Sequence, residues 1–275
     1  MTLSLSKQPQ VLRTELATAF SLNTGVDLSW QLGQLSDTPS TAFFIGYQVA
    51  MRCLDPKLPA HEWAAFAVSE KGVRNPFLSQ TIYDSTTGLL EGNKSHLMLV
   101  SSGLDTAYIL AKKIGSTPVE LVLLKVETSL LRAGPANPQP FLLEVPHYSV
   151  SFSTTLPKTA LFCEDAHQQA NKPFRYWEDV NTTLSLTGWL QAHLPTTSEV
   201  LEQAVVELIV AFKKTPATYS LTTLTLVEQL IERAQLEASN LTHESKELWL
   251  RDTQLLKFSQ AIRNKVRQSL LKSKS

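Results

Sequence analysis

Apolar and polar positions along the chain change period twice. From Thr38 to Leu54 the apolar residues Phe43, Phe44, Tyr47 and Met51 recur at helical spacing, and Asp55-Pro56 ends the run because a residue before proline is pushed out of the α region. Residues 1–37 are weakly patterned and read as an arm with one short helix. From about residue 62 to 165 the chain becomes a series of short runs rich in β-branched and aromatic residues: AAFAVSE, SQTIYD, GLLEG, SHLMLVSS, TAYILAKK, VELVLLKVE, PFLLEV, YSVSFS and KTALF. The proline-rich stretch Arg132–Pro140 is expected as a loop between two of them. With no helical run between the strands, the pattern predicts a small antiparallel β-barrel or sandwich. After Pro173 the helical period returns over about 174–193, 197–213, 220–238 and 243–272, split by Pro195, Pro216 and Asn240. Thr196 and Glu199 stand at capping-box spacing ahead of Val200, Leu201, Ala204, Val205 and Leu208. Four helices on short loops predict a bundle. The expected class is α+β, with a helical part over 1–57, a β-domain over 58–168 and a bundle over 169–275.

Composition narrows the function classes. The 275 residues carry 25 basic and 25 acidic side chains, and no Lys/Arg block is dense enough to track phosphates, so a nucleic-acid partner is not expected. No stretch approaches the roughly 20 apolar residues of a membrane span. The first twenty residues lack the pattern of a secretory signal, and the two cysteines, Cys53 and Cys163, stand far apart outside any CxxC pattern. A reducing, cytoplasmic setting with both thiols as apolar fillers is the expectation. None of the six histidines has HxxxH or HExxH spacing, and the group Cys163, Glu164, Asp165 and His167 has no matching second half, so no metal site is read.

Four stretches in order carry a resemblance. PKLPAHEWAAFAVSE (56–70), TTGLLEGNKSHLMLVSSGLDTAYILAKK (86–113), YSVSFSTTLPKTALF (148–162) and LWLRDTQLL (248–256), together with the order helix, β-domain, helical bundle, resemble the acyl-CoA dehydrogenases. The resemblance spans most of residues 42–165 and thinly the rest, and it implies a truncated N-terminal helical roof. It also implies FAD as cofactor and an acyl-CoA thioester as substrate, oxidised at its CH–CH group. In that chemistry a glutamate removes the α-proton and the β-hydrogen leaves as hydride to the flavin.

Carried over position by position, the resemblance places Val68 and Ser69 at the flavin pyrimidine, His96 where an aromatic shields the ring, and Met98 where a hydroxyl donates to it. The small Gly-Ser-Asp of typical members falls on Arg74, Asn75 and Pro76. The glycine motif that receives the ADP half falls on residues 233–237, which contain no glycine to let a backbone approach pyrophosphate. The usual base falls on Gln260, whose amide accepts no proton. Ala261 and Ile262 follow it in place of the residues that break the helix, so 251–271 is expected to run straight through. A second family position for the base falls on Glu178, ten residues before Gly188 and followed by Asp179 in place of the family arginine.

Each of these residues also has a plain structural reading. Glu178 reads as a solvated surface carboxylate, Ser69 as a strand-end hydroxyl, His96 as a strand-edge residue and Met98 as core volume. Gln260 reads as a polar margin beside an apolar face of Leu255, Phe258, Ile262 and Val266. The substitutions together point to dehydrogenation that is weak or lost. The alternatives are an active enzyme using Glu178, and a non-catalytic partner of a full-length relative. A homo-oligomer, dimer or tetramer, or a hetero-oligomer with such a relative is expected from the several apolar faces of the bundle.

Overall fold

The computed structural model describes residues 2–23 and 25–272, which fall into two compact units. The first comprises the described residues of Met1–His61, Gln139–Glu144 and Arg175–Ser275, and the second comprises Glu62–Pro138 and Val145–Phe174.

The first unit is helical. Its elements are α1 (Pro9–Leu22), α2 (Asp27–Gly33), α3 (Pro39–Leu54), α4 (Lys172–His193, inside this unit from Arg175), α5 (Glu199–Lys214), α6 (Leu221–Glu237), α7 (His243–Asp252) and α8 (Leu255–Lys272). Residues 1–37 thus hold two helices rather than the one expected: α1 buries Leu12, Leu16 and Phe20, and the short α2 buries Leu28, Ser29, Leu32 and Gly33, a face that mixes apolar with small residues. Thr38 starts α3 by accepting a hydrogen bond from the Thr41 amide at 3.1 Å, with Pro39 at the first helical position. α3 is buried almost all round, so it lies at the centre of its unit and not on the surface.

α4 is buried as well, although its middle reads Asn181, Thr182, Thr183, Ser185 and Thr187. Short polar side chains are tolerated there because they bond inward: Thr182 donates to the Glu178 carbonyl at 2.6 Å, Ser185 to the Ala42 carbonyl at 2.5 Å, and Ser29 to the Asn181 side chain at 2.7 Å. Gly33 and Gly46 make the close approach possible. A Cβ at Gly33 would stand 2.2 Å from the Ser185 carbonyl oxygen, and one at Gly46 would stand 2.5 Å from that of Asn181.

Two expectations about the last helices do not hold. α5 is capped by Ser198, whose hydroxyl accepts from the Leu201 amide at 3.4 Å, and not by Thr196. The segment expected as one helix from 243 to 272 breaks at Thr253–Gln254, while α8 does run unbroken through Ala261 and Ile262. The cause is local: Thr253 turns its hydroxyl back on the Trp249 carbonyl at 2.6 Å. The preceding Asp252 is buried and held by Ser40 at 2.7 Å, by the Leu142 amide at 2.8 Å and by Arg251, which also pairs with Glu144 at 2.9 Å. The stretch PFLLEV, expected as a strand, is therefore a turn whose residues up to Glu144 belong to the helical unit, with Leu142 at φ 52.

The second unit is a sheet of eight strands among the described residues: β1 (Ala64–Ala67), β2 (Ile82–Tyr83), β3 (Leu89–Met98), β4 (Thr106–Lys113), β5 (Leu121–Glu127), β6 (Arg132–Ala136), β7 (His147–Thr155) and β8 (Leu161–Cys163). Their order is β6-β7-β3-β2-β4-β5-β8, with β1 added beside β4. The sheet is mixed, not purely antiparallel, because β1 and β2 both run parallel to β4, and its path is open rather than closed into a barrel. Arg132–Ala136, expected as a loop, pairs with β7 as an exposed edge strand; proline is compatible with an edge because it need not donate there. The runs GLLEG and SHLMLV are one strand with a register shift between Lys94 and Leu97. β4 is buried from Thr106 to Ala111, as expected of a strand covered on both faces.

Candidate functional site

In the helical unit a pocket of about 210 Å³ is lined by Phe43 of α3, Arg175, Glu178, Asp179 and Thr182 of α4, Tyr219, and Leu255, Phe258, Ser259 and Ile262 of α8. Glu178 is half-buried in it, not the solvated surface residue of the plain reading, and its carboxylate accepts no hydrogen bond among the described residues. Burial, then the neighbouring Asp179 charge, push its carboxyl up to about 7, while Arg175 acts in the opposite direction. A carboxylate poised near neutral pH and facing a cavity has the protonation behaviour of a general base.

Asp179 is 8% exposed and bound on both oxygens. Arg263 of α8, itself 1% exposed, donates Nε–H to Oδ2 at 3.0 Å and Nη2–H to Oδ1 at 2.6 Å, and the Tyr219 hydroxyl donates to Oδ2 at 2.6 Å. Burial would favour a neutral guanidinium, but the hydrogen-bonded charge of Asp179 outweighs it and raises the Arg263 pKa. The Tyr219 phenol is raised well above its ordinary value by burial first and Asp179 second. Gln260 is exposed: its amide nitrogen donates to Asn264 Oδ1 at 3.2 Å, and its oxygen accepts from Arg263 Nη1 at 3.3 Å. Gln260 therefore touches the ion pair made by the residue next to Glu178, yet of the two only Glu178 lines the pocket.

The expected apolar face of α8 is also revised. Phe258 and Ile262 are 66% and 40% exposed, whereas Leu256 and Arg263 are buried, because the pull of Asp179 turns the Leu256–Arg263 side inward. Sequence patterning missed Arg263 since a cation interrupts an apolar face. Its one signal is the seven-residue spacing from Leu256, which puts both on one side of a helix.

In the sheet unit Ser69 is exposed, its carbonyl accepts from the Ser95 amide at 2.8 Å, and its hydroxyl is without a hydrogen bond among the described residues. The Val68 carbonyl accepts from Lys94 Nζ at 3.4 Å. His96 is exposed on β3 with Nδ1 2.9 Å from Ser95 Oγ, and Met98 is 4% exposed at the end of the same strand. Behind these residues lies a buried ion pair that the sequence reading missed. Glu70 Oε1 meets Lys94 Nζ at 2.7 Å, with the side chains 6% and 0% exposed. Burial resists ionisation of Glu70, but donation from Lys94, Ser79, Thr81 and the Gln80 amide together holds its carboxyl down at about 2. Lys94 falls on the same strand face as buried Leu90, two by two, and that alternation was the available signal.

Burial pushes both thiols up, Cys53 to about 12 and Cys163 to about 11, which disfavours the thiolate. Among the described residues no group of three or more His, Cys, Asp or Glu could hold a metal ion, and no helix is long and apolar enough to cross a membrane.

No protein-family model matches the chain, and no curated protein matches it in sequence. Solved structures do match in shape. Butyryl-CoA dehydrogenase from Megasphaera elsdenii superimposes with a TM-score of 0.63 at 12% identity, covering 82% of this chain and 75% of that one. FkbI, for biosynthesis of the methoxymalonyl extender unit of a polyketide, gives 0.67 at 12% identity over 89% and 82%. The FAD complex of PigA gives 0.62 at 14% identity over 87% and 82%. The order of helices and strands, the two units and these superpositions lead to one conclusion: the chain has an acyl-CoA dehydrogenase-like fold.

Proposed function

We propose that this chain is an acyl-CoA dehydrogenase-like flavoprotein acting weakly on acyl thioesters, with Glu178 rather than residue 260 as the proton acceptor. The observation that carries the reading is the state of Glu178: half-buried, facing a pocket, free of hydrogen bonds on its carboxylate among the described residues and pushed up to about 7. A carbon acidified by a thioester needs a base that is ionised yet poorly solvated, and a carboxylate with these properties serves better than one at its ordinary pKa. The wall of Phe43, Leu255, Phe258 and Ile262 suits an acyl chain and reduces water at the reacting carbon.

FAD, held by the PigA complex among the fold's neighbours, supplies the hydride acceptor when bound. The sheet unit fits it in part. The free Ser69 hydroxyl, the Val68–Ser69 main chain and the exposed His96 ring offer contacts, while the buried Met98 thioether offers no donor and residues 233–237 offer no glycine. That partial fit is the reason for proposing weak activity. The finer organisation proposed is a sheet domain over 58–168 between a short helical part, 1–57, and a helical bundle, 169–275.

A second reading, a non-catalytic partner of a full-length relative, is favoured by the exposed amide of Gln260 at the usual base position and by the missing glycines. Absorbance of the purified protein after desalting separates the two. A retained flavin spectrum that bleaches on anaerobic addition of acyl-CoA, and fails to bleach in Glu178→Gln, supports the first. A colourless protein that co-purifies with a full-length dehydrogenase supports the second, and bleaching unchanged by Glu178→Gln removes Glu178 from the chemistry.

A further inference from the structure

We propose that Arg263 is a positioning residue for Glu178, acting through Asp179, and that Gln260 serves as the amide that steers Arg263 into that role. The proposal rests on the reading of Glu178 as proton acceptor, and its test is independent of flavin.

Glu178 and Asp179 are consecutive on α4, and both line the same pocket. Two carboxylates this close in a partly dry site disfavour each other's ionisation. The structure relieves this with one cation. Arg263 reaches across from α8 and takes Asp179 in a two-pronged grip, at 3.0 Å and 2.6 Å, and so offsets part of the Asp179 charge that acts on Glu178. The remaining prong, Nη1, is occupied by the Gln260 oxygen at 3.3 Å. A neutral amide is the suitable acceptor there. It fixes the plane of the guanidinium without competing for its charge, whereas a carboxylate at 260 would draw Arg263 towards itself. Tyr219 closes the set by donating to Asp179 Oδ2.

The charged and titratable groups around Glu178 are then Arg175 and Asp179 on its own helix, Tyr219 from the segment before α6, and Arg263 from α8. α3 contributes only Phe43 to the pocket. Beyond Arg263 the pair Arg267–Glu228 is internally neutral. Removing Arg263 therefore leaves an unbalanced Asp179 beside Glu178, which holds its proton more tightly as a result.

The test is an NMR titration of the Glu178 side-chain carboxyl in protein carrying 13C-labelled glutamate, with the resonance assigned by its loss in Glu178→Gln. Arg263→Gln is expected to raise the Glu178 midpoint by about one pH unit. If Arg263 acts through Asp179, the double variant Asp179→Asn/Arg263→Gln brings the midpoint back to that of the starting protein or below it, as a coupled pair should in a double-mutant cycle. Gln260→Ala, a change at an exposed residue, is expected to raise the midpoint by a smaller amount. An unchanged midpoint in Arg263→Gln overturns the proposal, and a raised midpoint that persists in the double variant overturns the route through Asp179. Should Arg263→Gln not fold, Gln260→Ala and Tyr219→Phe carry the test, and no movement in either overturns it. If the midpoints move as expected while Glu178→Gln leaves flavin bleaching intact, the electrostatic assignment stands and the reading of Glu178 as base falls.

Discussion

Replacing Glu178 by glutamine should stabilise the protein above neutral pH and have little effect in acid. An ordinary glutamic acid titrates near 4.5 and Glu178 near 7, so the folded chain holds this proton more tightly than the unfolded one. Below pH 4.5 both states are protonated and the side chain is no burden. As pH rises from 4.5 to 7 the unfolded chain ionises first, and stability falls until the folded carboxyl has ionised too. At about 1.4 kcal/mol per pH unit the interval corresponds to about 3 kcal/mol as an upper bound. Water reaching a half-buried group screens part of it, and about 1–3 kcal/mol is the expected gain of Glu178→Gln at pH 8. Urea unfolding at pH 4.5 and pH 8 measures it. Tryptophan fluorescence is a suitable probe because Trp30, Trp177, Trp189 and Trp249 all belong to the helical unit. The midpoint of the variant should exceed that of the starting protein at pH 8 and match it at pH 4.5, with equal slopes. Curves displaced equally at both pH values would show that Glu178 is not held in the way described, and the argument for a poised base would go with it.

Three further outcomes follow from buried features. Glu70 has the opposite sign to Glu178: its folded carboxyl lies at about 2, so its stabilisation is present above 4.5 and is lost as pH falls from 4.5 towards 2. Lys94→Met strands that carboxylate and should cost about 3–5 kcal/mol at pH 7 and less at pH 3, read from amide exchange over β1 and β3. Gly33→Ala should lower the melting temperature although alanine is the better helix former, because its Cβ meets the Ser185 carbonyl oxygen at 2.2 Å; a cost of about 1–3 kcal/mol is expected, and an unchanged or raised melting temperature would refute the close packing of α2 on α4. Asp252→Asn removes the charge shared by Arg251, Ser40 and the Leu142 amide, and hydrogen exchange at Leu142 should quicken while that of α3 stays slow.

Periodicity alone placed α3 and the helices after Pro173 and found most of the strands, since each buries a face whose repeat is visible in the residues themselves. Proline and Asx punctuation set their ends well, as at Asp55-Pro56. The sequence by itself could not give what depends on partners far along the chain. Lys94 and Arg263 are buried because carboxylates at positions 70 and 179 await them, and no local pattern announces a cation that belongs inside. The inward turn of α8 and the use of Gln139–Glu144 in the helical unit have the same origin, a buried Asp179 or Asp252 drawing distant groups to itself. Parallel pairing of β1 and β2 with β4 is likewise a matter of topology, which strand composition does not encode. At the candidate site the sequence named Glu178 and Gln260; only the tertiary structure shows that Glu178 lines a pocket while the exposed Gln260 accepts from Arg263, because both depend on helices distant in the chain.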